Sequence, residues 1–413
     1  MGQIAQLTPD ILDAVYSQLG VADTCKLLIG VSGGADSLAL ALLSHQVRQI
    51  ETLTVDHGLR QGSADEAAEV AGWMADAGIP HTVLKWQGSK PASNIQAAAR
   101  AARYRLFGQH ALEKACRHVA VAHHREDQAE TFLLRLARGS GLKGLGGMAP
   151  RAPLPGCDNT ITLVRPLLAY SKASLVTTLE AKHQPWIEDP SNACDAFDRV
   201  KARKLLSNPP LEGLNTERLA RTADALRRAG EALVFYEEQL FTEAVMIDEY
   251  GMVRLQVAAL RAAPEEVAMR LFARLLGWFN GGNFAPRFEK MQDMFMALEA
   301  DMPARTLAGV CVKGDGDTGL MLYRELATTD QEDGRWFASD AGSESYVAPL
   351  GQSGVKQLAD MCPAYVADKY DYSQKCALSA VWRGTQLQYL LKNGETARLR
   401  PVFPGLQAGD KGG

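Results

Sequence analysis

Residues 26–37 read KLLIGVSGGADS, and this stretch decides the fold. The apolar run 27–31 has the length and flanks of a buried strand. Ser32-Gly33-Gly34 then breaks the chain, and residues 38–44 resume with helix-forming Leu and Ala. A strand, a glycine turn and a helix start make a site for an anion. Gly33 and Gly34 let backbone N–H groups approach a phosphate, and the new helix presents its positive end. Ser32 and Ser37 add hydroxyl donors, whereas Asp36 cannot bind phosphate directly and suits a divalent cation. No Gly-Lys-Ser/Thr ending follows, so the loop is not a Walker A motif. Standing alone, the same string also reads as an ordinary turn before a helix.

Working outward, 413 residues hold two or three domains, each able to bury a core. Hydrophobic content of 46% and charged content of 22% fit an ordinary soluble protein. No apolar run reaches the ~18 residues that span a bilayer, and no membrane partner is expected. The start, MGQIAQLTPDILDAV, has neither a basic n-region nor an apolar h-region, so no secretory signal is expected. The cysteines at 25, 116, 157, 194, 311, 362 and 376 form no C-x-x-C pair. That speaks against a zinc ribbon, a redox motif or a disulfide framework, and for a cytoplasmic, reduced protein. The net charge of −4 conceals two basic segments: 95–143, with nine Lys/Arg against four Asp/Glu, and 199–228, with eight against three. These are either solvated helix faces or the footprint of a polyanion larger than a nucleotide. Oligomeric state is not readable.

Thr8-Pro9-Asp10 opens a short amphipathic helix that Gly20 ends. Strands follow at 50–55, 81–86, 118–122 and 161–168. Helices are expected from a Ser63–Glu66 capping box to 77, over 94–116, within 123–138 and over 171–182. This alternation implies a doubly wound parallel sheet, whose ligands sit at the carboxyl ends of its strands. Three polar clusters fall at such ends: SGGADS, VDHGLR (55–60) and AHHREDQAET (122–131). Val55, Asp56 and His57 are placed for the nucleoside half of a nucleotide. On a helix, residues 123, 127 and 130 share a face. Zinc is disfavoured there, with no H-E-x-x-H and no cysteine in spacing. The glycine-rich run 138–148 reads as a flexible linker or a mobile loop, and 150–160 as a Pro-rich excursion. Residues 216–246 form a long amphipathic helix bearing Arg218, Arg221, Arg227 and Arg228, and helices continue over 254–298.

SGGADS resembles the pyrophosphate loop of the N-type ATP pyrophosphatases. The resemblance implies that residues Ser32, Gly33, Gly34, Ala35, Asp36 and Ser37 grip ATP, and that a substrate is adenylylated. With ATP implied, Asp127 and Asp36 suit Mg²⁺, which takes one or two carboxylates plus phosphate oxygens. A narrower family follows from VDHGLR, R-x-x-RYRLF (100–107), AHHREDQAETFLLRLARGSGLKGLGGM (122–148), RPLL (165–168) and W-x-EDPSN (186–192). In order and spacing these resemble the tRNA(Ile)-lysidine synthetases. Phe197, Arg199 and Arg203 look like that family's Arg-containing stretch, and GGNFAPR (281–287) with 304–325 like its second domain; ARLRPVFPG (397–405) is a faint echo of a third. The tRNA thiolases share only the first loop and need sulfur-handling cysteines not found here.

The resemblance implies a PP-loop, Rossmann-like catalytic domain over 1–210, a helical tRNA-binding domain over 211–328, and a small C-terminal α+β region over 329–413. It implies that the wobble cytidine of an isoleucine tRNA with a CAU anticodon is adenylylated at C2, and that the ε-amine of free L-lysine then displaces AMP. The amine must lose a proton, for which Asp127, Glu130 and His124 are candidates; Arg199 and Arg203 would clamp the tRNA backbone or the nucleotide. Two other classes stay open: a related ligase acting on a small molecule, and a nucleotide-binding regulator or RNA-binding protein without catalysis.

Overall fold

The computed structural model describes residues 7–325 apart from 60–61, 89, 92, 158–159, 189–197, 249, 280–285 and 317–318, and beyond them 336–337, 345–349, 355–357, 374, 377–383 and 386–390. The expectations on 189–192, Phe197, 281–285 and 397–405 lie outside the described residues. The chain forms two compact units, Met1–Gly230 and Glu231–Gly413.

The first unit opens with α1 (Pro9–Gln18), β1 (Leu27–Gly30), α2 (Ala35–Ser44), β2 (Ile50–Asp56), α3 (Ser63–Asp76), β3 (His81–Lys85) and α4 (Ile95–Glu113). It continues with β4 (His118–Ala120), α5 (Arg125–Ala137), α6 (Leu142–Leu145), β5 (Arg151–Pro153), β6 (Thr162–Val164), α7 (Lys172–Glu180) and α8 (Asp198–Ser207). The helix α9 (Thr216–Ala244) starts in this unit and ends in the second. The sheet order is β3-β2-β1-β4-β6-β5; every pairing is parallel except β5 against β6. The chain leaves β1 toward β2 on one side and returns to β4 on the other. The crevice between β1 and β4 is therefore the topological switch point where such sheets bind ligands.

Side-chain alternation along β1 explains why it lies at the centre. Leu27 and Ile29 join one buried core with Leu38 and Leu43 of α2 and Leu175 and Leu179 of α7. Leu28 joins the other, with Phe107 and Ala111 of α4 and Val119 of β4. A strand covered on both faces reads as a continuous apolar run.

Four local expectations change. Gly62, not Ser63, is the N-cap of α3, with φ +90°, and the Ser63 hydroxyl instead donates to Asp56 Oδ1 at 2.8 Å. His123 precedes α5, so only Asp127 and Glu130 share a helical face there. The glycine-rich run is not a free linker: it holds the turn α6, and its backbone is bonded to α5 as described below. The excursion after it contributes the antiparallel edge strand β5.

Beneath the sheet, Glu51 accepts from Lys26 Nζ at 2.6 Å, His110 Nε2 at 2.7 Å and Thr82 Oγ1 at 3.2 Å. Burial alone would raise this carboxyl, but the bonds from Lys26 and His110 outweigh it and hold it at about 2, from 4.5. A depressed carboxyl stabilises the fold fully above its unfolded value and ceases to as pH falls through the folded one. Glu51→Gln therefore lowers stability at neutral pH by about 1–2 kcal/mol, after allowance for solvent screening. It also flattens the loss of stability between 4.5 and about 2. Urea unfolding of both proteins across that window checks this.

The second unit adds β7 (Val245–Ile247), β8 (Val253–Gln256), α10 (Val257–Ala262), α11 (Glu265–Phe279), α12 (Phe288–Met296), β9 (Arg305–Leu307), β10 (Val310–Gly314) and β11 (Gly319–Arg324). Its antiparallel sheet, β7-β8-β11-β10-β9, was not foreseen beside the helices. Leu255, Val310, Leu320 and Leu322 of that sheet bury against Leu271, Phe272 and Leu275 of α11. A further antiparallel sheet joins β12 (Trp336–Phe337), β13 (Ser345–Pro349), β14 (Ser379–Arg383) and β15 (Gln386–Leu390). No helix among the described residues is long and apolar enough to cross a membrane.

Candidate active site

The loop after β1 is held open by its own side chains. Ser37 Oγ accepts from Ser32 N at 3.1 Å and donates to Gly34 O at 2.9 Å. Gly33 has φ +84°, and its carbonyl accepts from Ile187 N at 2.9 Å. A Cβ at Gly33 would fall 2.8 Å from Ile187 Cδ1 and 2.9 Å from Val70 Cγ2. Glycine is required here by conformation and by space. Gly34 caps α2, whose first-turn amides face the loop's concavity.

A cavity of about 590 Å³ opens at this point, within the range of small-molecule sites. Ser32, Gly34, Asp36 and Ser37 form part of its wall, as do Val55 and His57 at the end of β2. Arg103, Tyr104 and Phe107 of α4 complete the side against the sheet. Burial, then the Arg103 charge, push His57 down to about 4, so its imidazole is neutral at physiological pH. Its ring packs edge-on to Trp86 at 5.9 Å.

Beside the cavity, His124 gathers three carboxylates. Its Nε2 lies 3.5 Å from both Asp36 Oδ2 and Asp127 Oδ2, and its Nδ1 is 3.0 Å from Glu126 Oε2. Burial would depress this imidazole, but the bonds to Asp36 and Glu126 and the Asp127 charge lift it to about 10. His124 is thus a cation that draws Asp36 of α2 and Asp127 of α5 together. Burial opposes ionisation of Asp127 as well, but His124 and Arg199 hold its carboxyl below the usual range. Asp127 Oδ2 also accepts from His124 N at 3.1 Å, capping α5.

Two arginines from α8 close the other side. Arg199 lies 3.4 Å from Asp127 Oδ1 and 3.2 Å from Glu130 Oε2, and Arg203 Nε donates to Glu130 Oε1 at 2.9 Å. Glu130 is only 1% exposed. Removing a guanidinium leaves that buried charge under-compensated, which costs less here than in a fully buried pair because the arginines are half-exposed. Arg203→Ala should therefore lower unfolding stability by about 1–3 kcal/mol, and Arg203→Lys by less. Denaturant titration of the two variants against the parent checks this.

Most of the expected residues converge, though by different routes. Ser32, Gly34, Asp36, Ser37, Val55 and His57 face the cavity. His124, Asp127, Glu130, Arg199 and Arg203 reach it through the His124–Asp36 contact. The Ala35 side chain is buried in the core. Asp56 turns away: its Oδ1 accepts from Gly58 N at 2.9 Å and from Ser63, bracing the turn after β2. Sequence reasoning did not assign Arg103 and Tyr104 to the cavity, although R-x-x-RYRLF, with Phe107 four residues beyond Arg103, carried the signal of a helix face turned inward.

The donor set fits a divalent metal. Asp36 Oδ1 is a buried oxygen without a hydrogen-bond partner, and a second carboxylate, Asp127, meets it at His124. Among the described residues no group of three or more His, Cys, Asp or Glu forms a metal cage, so phosphate oxygens or water would complete the coordination.

A glycine loop at the switch point of a parallel sheet, with paired carboxylates beside it, defines an ATP-binding PP-loop domain, and residues 7–209 match the family model of that description. Over 408 residues the chain is 36% identical to the tRNA(Ile)-lysidine synthase of Ruegeria pomeroyi, covering 94% of this chain and 95% of that protein. It is 40% identical over 281 residues to the tRNA(Ile)-lysidine synthase of Methylobacterium nodulans, covering 67% and 82%. The corresponding protein of Wolbachia sp. subsp. Brugia malayi is 31% identical over 334 residues, covering 78% and 75%. The chain belongs to the tRNA(Ile)-lysidine synthase family of ligases. The resemblance read from its motifs is borne out.

Proposed function

We propose that this protein uses ATP to join L-lysine to C2 of the wobble cytidine in an isoleucine tRNA bearing CAU. The carrying observation is similarity to tRNA(Ile)-lysidine synthases along nearly the whole chain. In the first step the cytidine O2 attacks the α-phosphorus of ATP; the bond to the bridging oxygen breaks and pyrophosphate leaves. In the second, the deprotonated lysine amine attacks C2, the C2–O bond breaks, and AMP departs with that oxygen.

The site residues take distinct roles in this reading. The amides at Gly34 and the start of α2, with the hydroxyls of Ser32 and Ser37, hold the phosphates. Val55, His57 and Arg103 flank the nucleoside. Asp36 and Asp127 would hold Mg²⁺, whose charge offsets that of the departing pyrophosphate. The amine's proton would pass to one of the three groups gathered on α5, His124, Asp127 or Glu130, of which Glu130 is enclosed between guanidiniums. Arg199 and Arg203 position the carboxylates of α5. Residues 211–328 would grip the tRNA, with the exposed Arg218, Arg221 and Arg228 of α9 supplying cations at its approach. The work would be done in the cytoplasm, where tRNA, ATP and lysine meet.

The test is incubation with ATP, labelled lysine and the CAU isoleucine tRNA, followed by nucleoside analysis. Label in the wobble nucleoside supports the reading. Turnover without tRNA would instead indicate a small-molecule ligase.

A further inference from the structure

The glycine-rich segment 138–148 lies back along α5. The Gln128 side chain, only 6% exposed, donates from Nε2 to Met148 O at 2.8 Å and accepts at Oε1 from Met148 N at 2.7 Å. Seven residues on, Arg135 Nη1 donates to Gly144 O at 2.6 Å and Gly147 O at 2.9 Å. A separation of seven is about two helical turns, so both side chains leave one face of α5. Gly147 has φ +69°, and a Cβ there would come within 2.6 Å of Gln128 Oε1. Glycine is what lets the amide close on this backbone.

The other side of the segment meets α9. A Cβ at Gly146 would come 3.1 Å from Arg227 Cα, so the two backbones are in direct contact. Leu145 packs into a small core with Ala129 and Phe132 of α5 and Leu219, Ala223 and Leu226 of α9. The segment is therefore a strut between two helices. One carries Asp127 in its first turn, beside Gln128; the other carries the exposed arginines assigned above to RNA.

We propose that Gln128 is a positioning residue for the reaction, which fixes Asp127 relative to the RNA-facing start of α9 by locking the strut at Met148. This rests on the lysidine reading of the site. An apolar side chain would fill the same volume. The amide adds alignment: it grips both the N–H and the C=O of one residue, so the strut cannot slide along α5 without breaking both bonds. Slippage would move Asp127, and the metal position it shares with Asp36, relative to the bound RNA, while the phosphate-gripping loop keeps its place, since neither Gln128 nor the strut lines the ATP cavity. Displacements of about 1 Å in a reacting constellation cost up to about 100-fold in rate.

The full-length enzyme carrying Gln128→Leu is assayed with ATP, lysine and the CAU tRNA. Lysine incorporation per enzyme should fall by about 30-fold or more in kcat, with Kd for metal-free ATP and Kd for tRNA changed by less than about threefold. Gly147→Ala, which pushes the amide off from the strut side, should give the same split and decides the matter if Gln128→Leu does not fold. Both variants within about threefold of the parent kcat would overturn the proposal. So would kcat, ATP affinity and tRNA affinity falling together with the melting temperature, the mark of a merely structural side chain. If the unaltered enzyme incorporates no lysine, the functional reading itself fails, and the positioning role with it.

Discussion

Asp36→Ala should reduce tRNA-dependent pyrophosphate release by about 1000-fold or more, with the fold retained. The side chain sits in the first turn of α2, directly after the phosphate-gripping glycines. One of its oxygens is buried without a partner and the other faces His124. An unpartnered buried carboxylate oxygen is costly unless a cation completes it, and ATP arrives with one. The helix itself does not depend on Asp36, because Leu38, Leu40 and Leu43 anchor it in the core. Loss of a first-turn acid removes only about 0.3–1 kcal/mol of favourable dipole interaction. Asp36→Asn separates charge from shape: it should be nearly as inactive, and its residual rate should need much higher Mg²⁺. Pyrophosphate release at the parental rate in Asp36→Ala would remove the assignment.

Gly33→Val should weaken ATP binding by about 100-fold or more, measured by calorimetric titration. Two independent penalties coincide. A β-branched residue at φ +84° is strained, and its Cβ would overlap Ile187 and Val70. Neither neighbour can yield easily: Val70 is 1% exposed in the core, and Ile187 is tied to the Gly33 carbonyl through its backbone. The loop must therefore move, and with it the amides that face the phosphates. Gly34→Ala supplies the contrast. Gly34 has an ordinary φ of −74°, and its Cβ would meet only Ser32 Oγ, at 3.7 Å. It should cost far less, and a Gly33→Val protein that binds ATP as the parent does would show that the loop is not the grip.

The β-strands and the polar clusters at their ends were legible because central parallel strands are apolar on both faces and the glycine turn is unmistakable. What stayed hidden depended on depth. Arg103 lies on a helix rich in arginine, which looks solvated until α4 is laid on the sheet and that one guanidinium is seen to face the cavity. The pairing of Glu130 with Arg199 and Arg203 joins residues about seventy positions apart, beyond any spacing rule. Ser63 carried a sound capping signal, yet Asp56 claimed its hydroxyl. The glycine-rich segment looked mobile because glycine content reports freedom of the unfolded chain; its bonds to Gln128 and Arg135 come from another element. In the second unit, strands of two to six residues give too few alternations to be distinguished from loops.

The helix α9 also governs how the protein can be dissected. Truncation after residue 210 would strip Leu219, Ala223 and Leu226 from Ala129, Phe132 and Leu145, exposing a greasy stripe on the very helix that bears Asp127. Such a fragment should aggregate or lose its reactive geometry. One ending after Gly230 keeps that lid and should purify as a monodisperse, nucleotide-binding piece.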